Sequence, residues 1–287
     1  MIQGYARRRS MGGWISAVVG GADDATAARI LDRIDAWAAF ITRHDPTSEL
    51  SRLNADASPA VRVGPTVARA LHAAASMRTM TRGLVDAGVL DARLAAEQGD
   101  APVPAGRWSI SGDLVTRPEG TRLDLGGIGK GWLAQRALDL PGIRDLPVVL
   151  VECDGDIAVR SDGSIPFAIQ IEDPRDADPS SLAPITTLSL EYGMPVRLGI
   201  ATSGTYRQTW AGRPHIVDPA TGGAPESGVV TATVVAADAV AAEALAKVVV
   251  LRGAEAAPML AGAGATAIAL TVRNTQLRFP GIERWIA

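Results

Sequence analysis

The chain is poor in cysteine, histidine and aromatic residues, and each shortage excludes a class of protein. Its 287 residues include one cysteine, Cys153, which excludes an internal disulfide and a zinc site built from several cysteines. The three histidines, His44, His72 and His215, show no metal-ligand spacing. Aromatic residues make up 4% of the chain, so aliphatic side chains must fill most of the core.

The chain also lacks an excess of positive charge and a long apolar run. Its net charge of −3 gives no basic field for nucleic acid, and the cluster 7–9 of three arginines is predicted to be a solvated N-terminal arm. No apolar stretch approaches the roughly 18 residues of a membrane span. The N-terminal stretch has no uninterrupted apolar segment of the secretory type. We therefore expect no signal peptide, no membrane span and a cytoplasmic location.

The periodicity of the apolar residues predicts helices mixed with paired strands. Segments 24–44, 64–83 and 239–252 have helical spacing, and Asp238 and Gly253 are typical residues for the start and the end of the last of these helices. The stretch 147–163 predicts a hairpin that turns at Asp154 and Gly155, and segments 185–193 and 195–204 predict another pair of strands. Without regular β-α-β alternation, the fold class is α+β with mixed or antiparallel sheets and packed helices. No boundary is sharp, so we predict one domain over residues 1–287, with room for two intertwined subdomains.

The stretch LDLGGIGKGW, residues 123–132, combines a predicted strand end, four glycines, a lysine and then a predicted helix, which is typical of a phosphate-binding turn. Glycines let backbone N–H groups approach anionic oxygens, and a following helix N-terminus favours negative charge. Neither the P-loop nor the dinucleotide fingerprint fits, because Asp124 and Gly131 stand where the P-loop needs other residues and the glycine spacing is G-x-G-x-G. The alternative is a tight turn without a ligand.

Two further segments are dense in polar groups. HDPTSELSRLN, residues 44–54, begins with a turn and continues as a short helix, and the alternative is a capped turn without function. Residues 201–223 bring Ser203 and His215 between strand-like segments. A serine hydrolase is disfavoured because no G-x-S-x-G elbow surrounds Ser203.

In order along the chain, these segments resemble the ApbE-like FAD:protein FMN transferases, from about residue 11 to about residue 253. The resemblance is carried by MGG, HDPTSELSRLN, GLVDAGVLDARL, LDLGGIGKGW, DGDIAV, ATSGTYR and HIVDPATGGAP. It implies that the chain binds FAD, transfers FMN to a threonine of an acceptor protein and releases AMP. The implied partners are thus FAD and a protein with a modifiable threonine.

The resemblance also implies roles for individual residues. The implied catalytic residues are His215, Lys130 and Lys247. The implied FAD-binding residues are Met11, His44, Glu49, Asn54, Asp86, Asp124, Gly127, Gly129, Lys130, Ser203, Gly204, Thr205 and His215. The implied metal positions are Gly129, Glu243 and Lys247.

The last two positions depart from the family pattern, which has an Asp and a Thr as Mg²⁺ ligands where this chain has Glu243 and Lys247. A protonated lysine offers no lone pair and repels a cation. We therefore expect weak or absent Mg²⁺ binding. Smaller departures are Gly13 in place of a threonine and Asp154 in place of a glycine.

Three activities follow from this pattern. The first is FMN transfer with an altered metal site, in which Lys247 supplies part of the charge of the cation. The second is a non-catalytic module that binds FAD, and the third is an Mg²⁺-dependent FAD pyrophosphatase. The identity of the acceptor protein and the oligomeric state do not follow from the sequence.

Overall fold

The computed structural model describes residues 2–174, 186–190, 193–206, 209–210 and 213–286. Seven α-helices lie in these ranges: α1 Asp24–Ile41, α2 Glu49–Ala55, α3 Pro65–Met80, α4 Leu90–Gln98, α5 Gly129–Ala137, α6 Ala239–Arg252 and α7 Ala257–Gly262. The strands described are β1 Ile2–Ser10, β2 Gly13–Gly20, β3 Ala60–Arg62, β4 Ser109–Ser111, β5 Leu114–Thr116, β6 Val148–Cys153, β7 Asp156–Ser161, β8 Phe167–Ile171, β9 Thr186–Leu190, β10 Val196–Gly204, β11 Thr209–Trp210, β12 Arg213–Pro214, β13 Val229–Ala236, β14 Thr266–Thr271 and β15 Gln276–Arg278.

An eight-stranded antiparallel sheet organises the fold. Its spatial order is β1-β2-β6-β7-β10-β13-β14-β15, which follows the order of these strands along the chain. The helices and the smaller sheets are inserted between successive strands. Helices and mostly antiparallel strands are therefore combined without β-α-β units, which confirms the α+β class.

One face of the sheet is covered by helices, and α6 is the most deeply buried of them. Apart from Glu243, Lys247 and Arg252 its residues are apolar, and nearly all of them are buried, which is typical of a helix enclosed on all sides. Asp238 accepts a hydrogen bond from the Ala241 N–H at the start of α6, and Gly253 ends the helix, as predicted. Gly199 permits the contact between β10 and α6, because a Cβ there would lie 2.2 Å from the Ala239 nitrogen.

The opposite face is covered partly by the β8–β9 hairpin and the C-terminal segment. A second apolar cluster lies there, with Ile171, Leu188 and Trp285 among its members. A three-stranded sheet, β3-β5-β4, lies beside the helices and was missed by the sequence analysis, because each strand has only three residues. The uncovered part of this face leaves space for a cavity.

The structure corrects three local predictions. The three arginines 7–9 are not in a solvated arm: they lie in β1, which pairs with β2 through the two-residue turn of Met11 and Gly12. Strands β9 and β10 do not pair with each other, since β9 pairs with β8 and β10 pairs with β7 and β13. The residues before the glycine-rich turn belong to no strand, although a strand was predicted to end there. The hairpin at Asp154 and Gly155 is confirmed.

No helix in the described ranges is both long enough and apolar enough to cross a membrane. The division of the chain into domains stays a prediction.

Candidate functional site

A cavity of about 1100 Å³ opens where the glycine-rich turn meets the tips of the β1–β2 and β6–β7 hairpins. It brings together residues from both ends of the chain. The predicted site residues that line it are Met11, His44, Asp124, Gly129, Lys130, Ser203, Gly204, His215, Glu243 and Lys247. A smaller cavity of about 50 Å³ shares His215 and Lys247 with the large one and is also lined by Asp86 and Gly127.

Asp124 holds the glycine-rich turn in place. One oxygen of its buried carboxylate accepts a hydrogen bond from the Gly126 N–H at 2.7 Å. The other lies 2.5 Å from the Arg93 guanidinium and 3.5 Å from Nε of Arg43. The two arginines neutralise this carboxylate inside the protein, and α5 begins directly after the turn at Gly129. Asp124 therefore shapes the end of the cavity where the α5 N-terminus lies.

Lys130, the second residue of α5, faces carboxylates across the cavity. Its Nζ lies 3.3 Å from Asp154 Oδ2 and 3.4 Å from Asp156 Oδ2. Burial by itself lowers the pKa of Lys130, but the charges of Asp156, Glu243 and Asp154 outweigh burial and raise this pKa above its ordinary value. Lys130 therefore remains an ammonium ion at physiological pH.

Asp156 is the more deeply buried of the two carboxylates that pair with Lys130, and no sequence motif singled it out. Its side chain is 3% exposed, and Oδ1 has no hydrogen-bond partner in the described part of the chain. Burial and the charge of Glu243 raise the pKa of Asp156 to about 7, although Lys130 and Lys247 act in the opposite direction. The alternating pattern of DGDIAV marked a strand but did not distinguish the role of this residue.

Glu243 and Lys247 form an internal ion pair on α6. Glu243 is 0% exposed, and its two oxygens have different partners. Oε2 accepts a hydrogen bond from the Gly131 N–H at 2.8 Å, and Oε1 lies 3.2 Å from Lys247 Nζ. The contact with α5 requires a glycine, because a Cβ at Gly131 would lie 2.4 Å from the Ala239 carbonyl oxygen. The pair is thus built into the interface between two helices.

The chain has 26 arginines but only two lysines, and both lysines are in this cavity. Arginine presents a planar fork of donors, whereas lysine is a compact charge that can approach one oxygen. The scarcity of lysine was a signal in the sequence that could have linked Lys130 to Lys247 without a structure.

The two histidines of the cavity come from different loops. His44 follows α1 and is exposed, with its ring partly shielded from solvent. Burial and the neighbouring Arg43 charge lower the pKa of His44, which favours the neutral imidazole. His215 follows β12 and lies at the junction of the two cavities. Ser203 and Gly204 lie at the end of β10, and Ser203 is buried.

Three predicted FAD-binding residues lie outside the lining of both cavities. Glu49 accepts a hydrogen bond from the Gly64 N–H. Asn54 binds the backbone of Leu123 in both directions, with its amide donating at 2.8 Å and its oxygen accepting at 2.7 Å, so it fixes the residue before Asp124. The Thr205 N–H donates to the Val230 carbonyl at 2.9 Å. A role for these three in FAD binding stays a prediction.

Asp86 borders the smaller cavity and already has two donors. Its carboxylate accepts hydrogen bonds from the Gly88 N–H at 2.8 Å and from the Trp108 indole at 2.6 Å. These bonds hold the segment between α3 and α4 against the small sheet.

The tips of the two hairpins fit together through Gly13 and Asp154. A Cβ at Gly13 would lie 2.3 Å from Asp154 Cγ, so the Asp154 side chain occupies the space that a larger residue at position 13 would need. Asp154 also has a positive φ of 52° and donates its N–H to the Trp14 carbonyl at 2.8 Å. The departures at positions 13 and 154 are therefore coupled, and together they place a carboxylate beside Lys130.

A model of the ApbE family matches residues 11–270. No curated protein sequence matches the chain. Solved structures match over nearly the full length. The ApbE protein of Thermotoga maritima is 22% identical with a TM-score of 0.84, and 99% of each chain is covered. Flavin transferase ApbE of Vibrio cholerae is 22% identical with a TM-score of 0.78, and 98% of each chain is covered. Flavinyl transferase ApbE of Pseudomonas stutzeri is 18% identical with a TM-score of 0.79, covering 98% of this chain and 96% of that one.

Proposed function

The chain belongs to the ApbE family, and on that premise we propose that it transfers FMN from FAD to a threonine of an acceptor protein. In this reaction the threonine oxygen attacks the phosphorus on the riboflavin side of the FAD pyrophosphate. The bond from that phosphorus to the bridging oxygen breaks, AMP leaves with the electron pair, and the hydroxyl proton passes to a base. The product is a phosphodiester between the threonine and riboflavin.

The observation that carries this proposal is the size of the cavity together with its two lysines. A volume of about 1100 Å³ exceeds what a small metabolite needs and suits a dinucleotide. Phosphoryl transfer depends mainly on positioning and on neutralising charge at the phosphate oxygens. Lys130 beside the α5 N-terminus and Lys247 on α6 supply positive charge at that end of the cavity. His215, at the junction of the two cavities, is our candidate for receiving the proton or stabilising the developing charge.

The residues at the family's metal positions do not fit Mg²⁺. This ion requires about six oxygens in near-octahedral geometry. Both oxygens of Glu243 already have donors, and Lys247 contributes an ammonium instead of an oxygen. At about 4 Å and an effective dielectric near 20, that ammonium would repel a divalent ion by about 8 kcal/mol. Among the described residues, no group of three His, Cys, Asp or Glu side chains is arranged to hold a metal. We propose that Lys247 supplies part of the positive charge at the phosphates.

A non-catalytic FAD-binding module is the second candidate. The ion pairs of Lys130 with Asp154 and Asp156 favour it, because these carboxylates compete with a phosphate for the same ammonium. The third candidate, an Mg²⁺-dependent FAD pyrophosphatase, needs a metal site that Glu243 and Lys247 do not provide.

One assay separates the three candidates. The chain is incubated with FAD and a threonine-bearing acceptor peptide, with EDTA or with Mg²⁺, and AMP and peptide-bound flavin are measured by chromatography. In EDTA we expect AMP and peptide-bound flavin to form in equal amounts. The Lys130→Met and Lys247→Met variants should form neither product. FAD binding without AMP in either condition would favour the non-catalytic module. AMP with free FMN, formed only with Mg²⁺ and without the peptide, would favour the pyrophosphatase.

A further inference from the structure

The β1–β2 hairpin presents two arginines stacked on a tryptophan at the mouth of the cavity. The guanidinium carbons of Arg7 and Arg9 lie 4.4 Å and 4.5 Å from the centre of the Trp14 ring. Arg9 is directly opposite Trp14 in the register, and Arg7 is its diagonal neighbour. Together with Tyr5, which is 50% exposed, they form a surface that we call the arginine–tryptophan face.

The positive charge of this face comes from Arg7 and Arg9. Arg8, between the two arginines, points to the other side and pairs with Asp32 and Asp35 of α1. No such pair is formed by Arg7 or Arg9 with any carboxylate of the described residues. Glu152, in the same row of the sheet as Arg7, is bound by the Ser16 hydroxyl at 2.9 Å. The face is thus a local positive surface on a chain whose net charge is −3.

Between Arg7 and Arg9, strand β1 is also an open edge of the large sheet, whereas the Tyr5 N–H already donates to Asp24 Oδ1 at 2.8 Å. It is the first strand in the sheet order, and no described strand pairs with its outer side. Because Met11 and Gly12 form a two-residue turn, Ser10 and Gly13 are the hydrogen-bonded closing pair. The register then directs the backbone N–H and C=O groups of Arg7 and Arg9 outward. An extended peptide could therefore add to β1 as a further strand.

The face is continuous with the cavity. Arg7, Trp14, Met11 and Gly12 all line its mouth, on the side of the β6–β7 tip that carries Asp154. A peptide along β1 would run toward the Met11–Gly12 turn and the cavity beyond it.

We propose that the open edge of β1 and the arginine–tryptophan face bind an extended, acidic segment of the acceptor protein. The segment pairs with the backbone of β1, its carboxylates contact Arg7 and Arg9, and its threonine enters the cavity beside Met11. This proposal rests on the proposed function, because it names the chemistry of the partner in that reaction.

A binding experiment without FAD tests this interaction directly. The probe is a fluorescent peptide of about twelve residues with one threonine and four aspartates, and the matched peptide has asparagines in place of the aspartates. We expect the acidic peptide to bind, with an affinity that falls as salt rises, and the neutral peptide to bind about tenfold more weakly. The double variant Arg7→Glu with Arg9→Glu should lose at least about tenfold in affinity for the acidic peptide.

The control variant Arg144→Glu with Arg273→Glu changes the net charge by the same amount at exposed residues outside the cavity lining. It should bind the acidic peptide as the unmodified chain does. Equal losses in both double variants, or equal binding of the two peptides, would overturn the proposal.

Steady-state kinetics distinguish this role from binding of the FAD rings by Trp14. In the Arg7→Glu, Arg9→Glu variant we expect a higher KM for the acidic peptide and an unchanged Kd for FAD. A weaker Kd for FAD with unchanged peptide binding would assign the face to FAD instead. If the unmodified chain binds the acidic peptide but forms no AMP, the proposed function fails while the docking surface stands.

Discussion

Lys130 is held by carboxylates that a phosphate would have to displace. Asp154 is the more accessible of its two nearest partners, with 32% of its side chain exposed. Its carboxylate therefore lies where an anionic ligand would approach the ammonium. We therefore expect this residue to weaken the attraction of the cavity for phosphate groups.

Removing the charge of Asp154 should strengthen the binding of phosphate ligands. We expect the Asp154→Asn variant to bind FAD and AMP severalfold more tightly at low salt, because an exposed ion pair contributes up to about 1 kcal/mol. Isothermal titration calorimetry at two salt concentrations measures the effect. Asp145→Asn, at an exposed carboxylate outside the cavity lining, is the control. Unchanged or weaker affinity in Asp154→Asn would contradict the competition.

Asp156 should make the stability of the protein depend on pH. Its pKa in the folded state, about 7, lies above the ordinary value of 3.8, so the folded carboxyl binds its proton more tightly than the unfolded one. Its contribution to stability is therefore present below about pH 4 and is lost as the pH rises to about 7. The variant Asp156→Asn cannot titrate at this position. The free energy of unfolding of the variant minus that of the unmodified chain should therefore increase by about 1 kcal/mol or more from pH 5 to pH 8. Urea unfolding at both pH values checks this difference, and a constant difference would contradict it.

The ion pair on α6 can be converted into an oxygen-rich site. In the double variant Glu243→Asp with Lys247→Thr, the ammonium is replaced by a hydroxyl, which removes the repulsion and adds a ligand oxygen. We expect measurable binding of Mg²⁺ by calorimetry with the metal alone. Lys247→Met removes the same charge without adding an oxygen and should bind Mg²⁺ more weakly. If the double variant binds Mg²⁺ no better than Lys247→Met does, then Glu243 and Lys247 do not explain weak Mg²⁺ binding.

At this scale the sequence motifs singled out both lysines and Glu243, which line the cavity, while their roles stay predictions. It did not predict Asp156 or the arginines that hold Asp124. Their importance depends on burial and on partners distant in the chain, such as Lys130 for Asp156 and Arg93 for Asp124, and no local pattern encodes these contacts.

Helices α5 and α6 approach each other closely at Gly131, and this contact positions the ion pair. We expect Gly131→Ala to destabilise the fold by about 2 kcal/mol, because its Cβ would lie 2.4 Å from the Ala239 oxygen and would force the helices apart. Gly127→Ala is the matched control in the same turn, since its Cβ would meet only Val85, at 3.7 Å. Thermal unfolding compares the two, and equal melting temperatures would show that the helices can adjust without cost.

The elements with strong local signals were predictable, and those defined by pairing were not. Helix α6 follows from its apolar run, its Asp238 cap and the Gly253 stop. Strand β1 was missed because three successive arginines obscure the alternation of exposed and half-buried residues, which becomes visible only when β2 lies beside it. The pairing of β9 with β8 was also missed. The sequence shows that β9 and β10 follow each other in the chain, but it does not show which strand each of them pairs with.

A continuous core suggests that the whole molecule unfolds as one unit. The main apolar cluster includes residues from Ile15 to Phe279, and within the described ranges no other apolar cluster is of comparable size. We expect a single transition in urea, with coincident midpoints for far-UV circular dichroism and for the fluorescence of the six tryptophans. Two separate midpoints would indicate the subdomains that the sequence left open.

The order of the large sheet has a consequence for how the chain is synthesised. Because the strands lie side by side in chain order, each strand that leaves the ribosome can join the edge formed by the strand before it. The cavity is completed later, since Glu243 and Lys247 arrive on α6, after six strands of the large sheet have been made. A nascent chain thus acquires most of its scaffold before it has a complete site, and translation itself separates the growth of the sheet from the first possible encounter with a ligand.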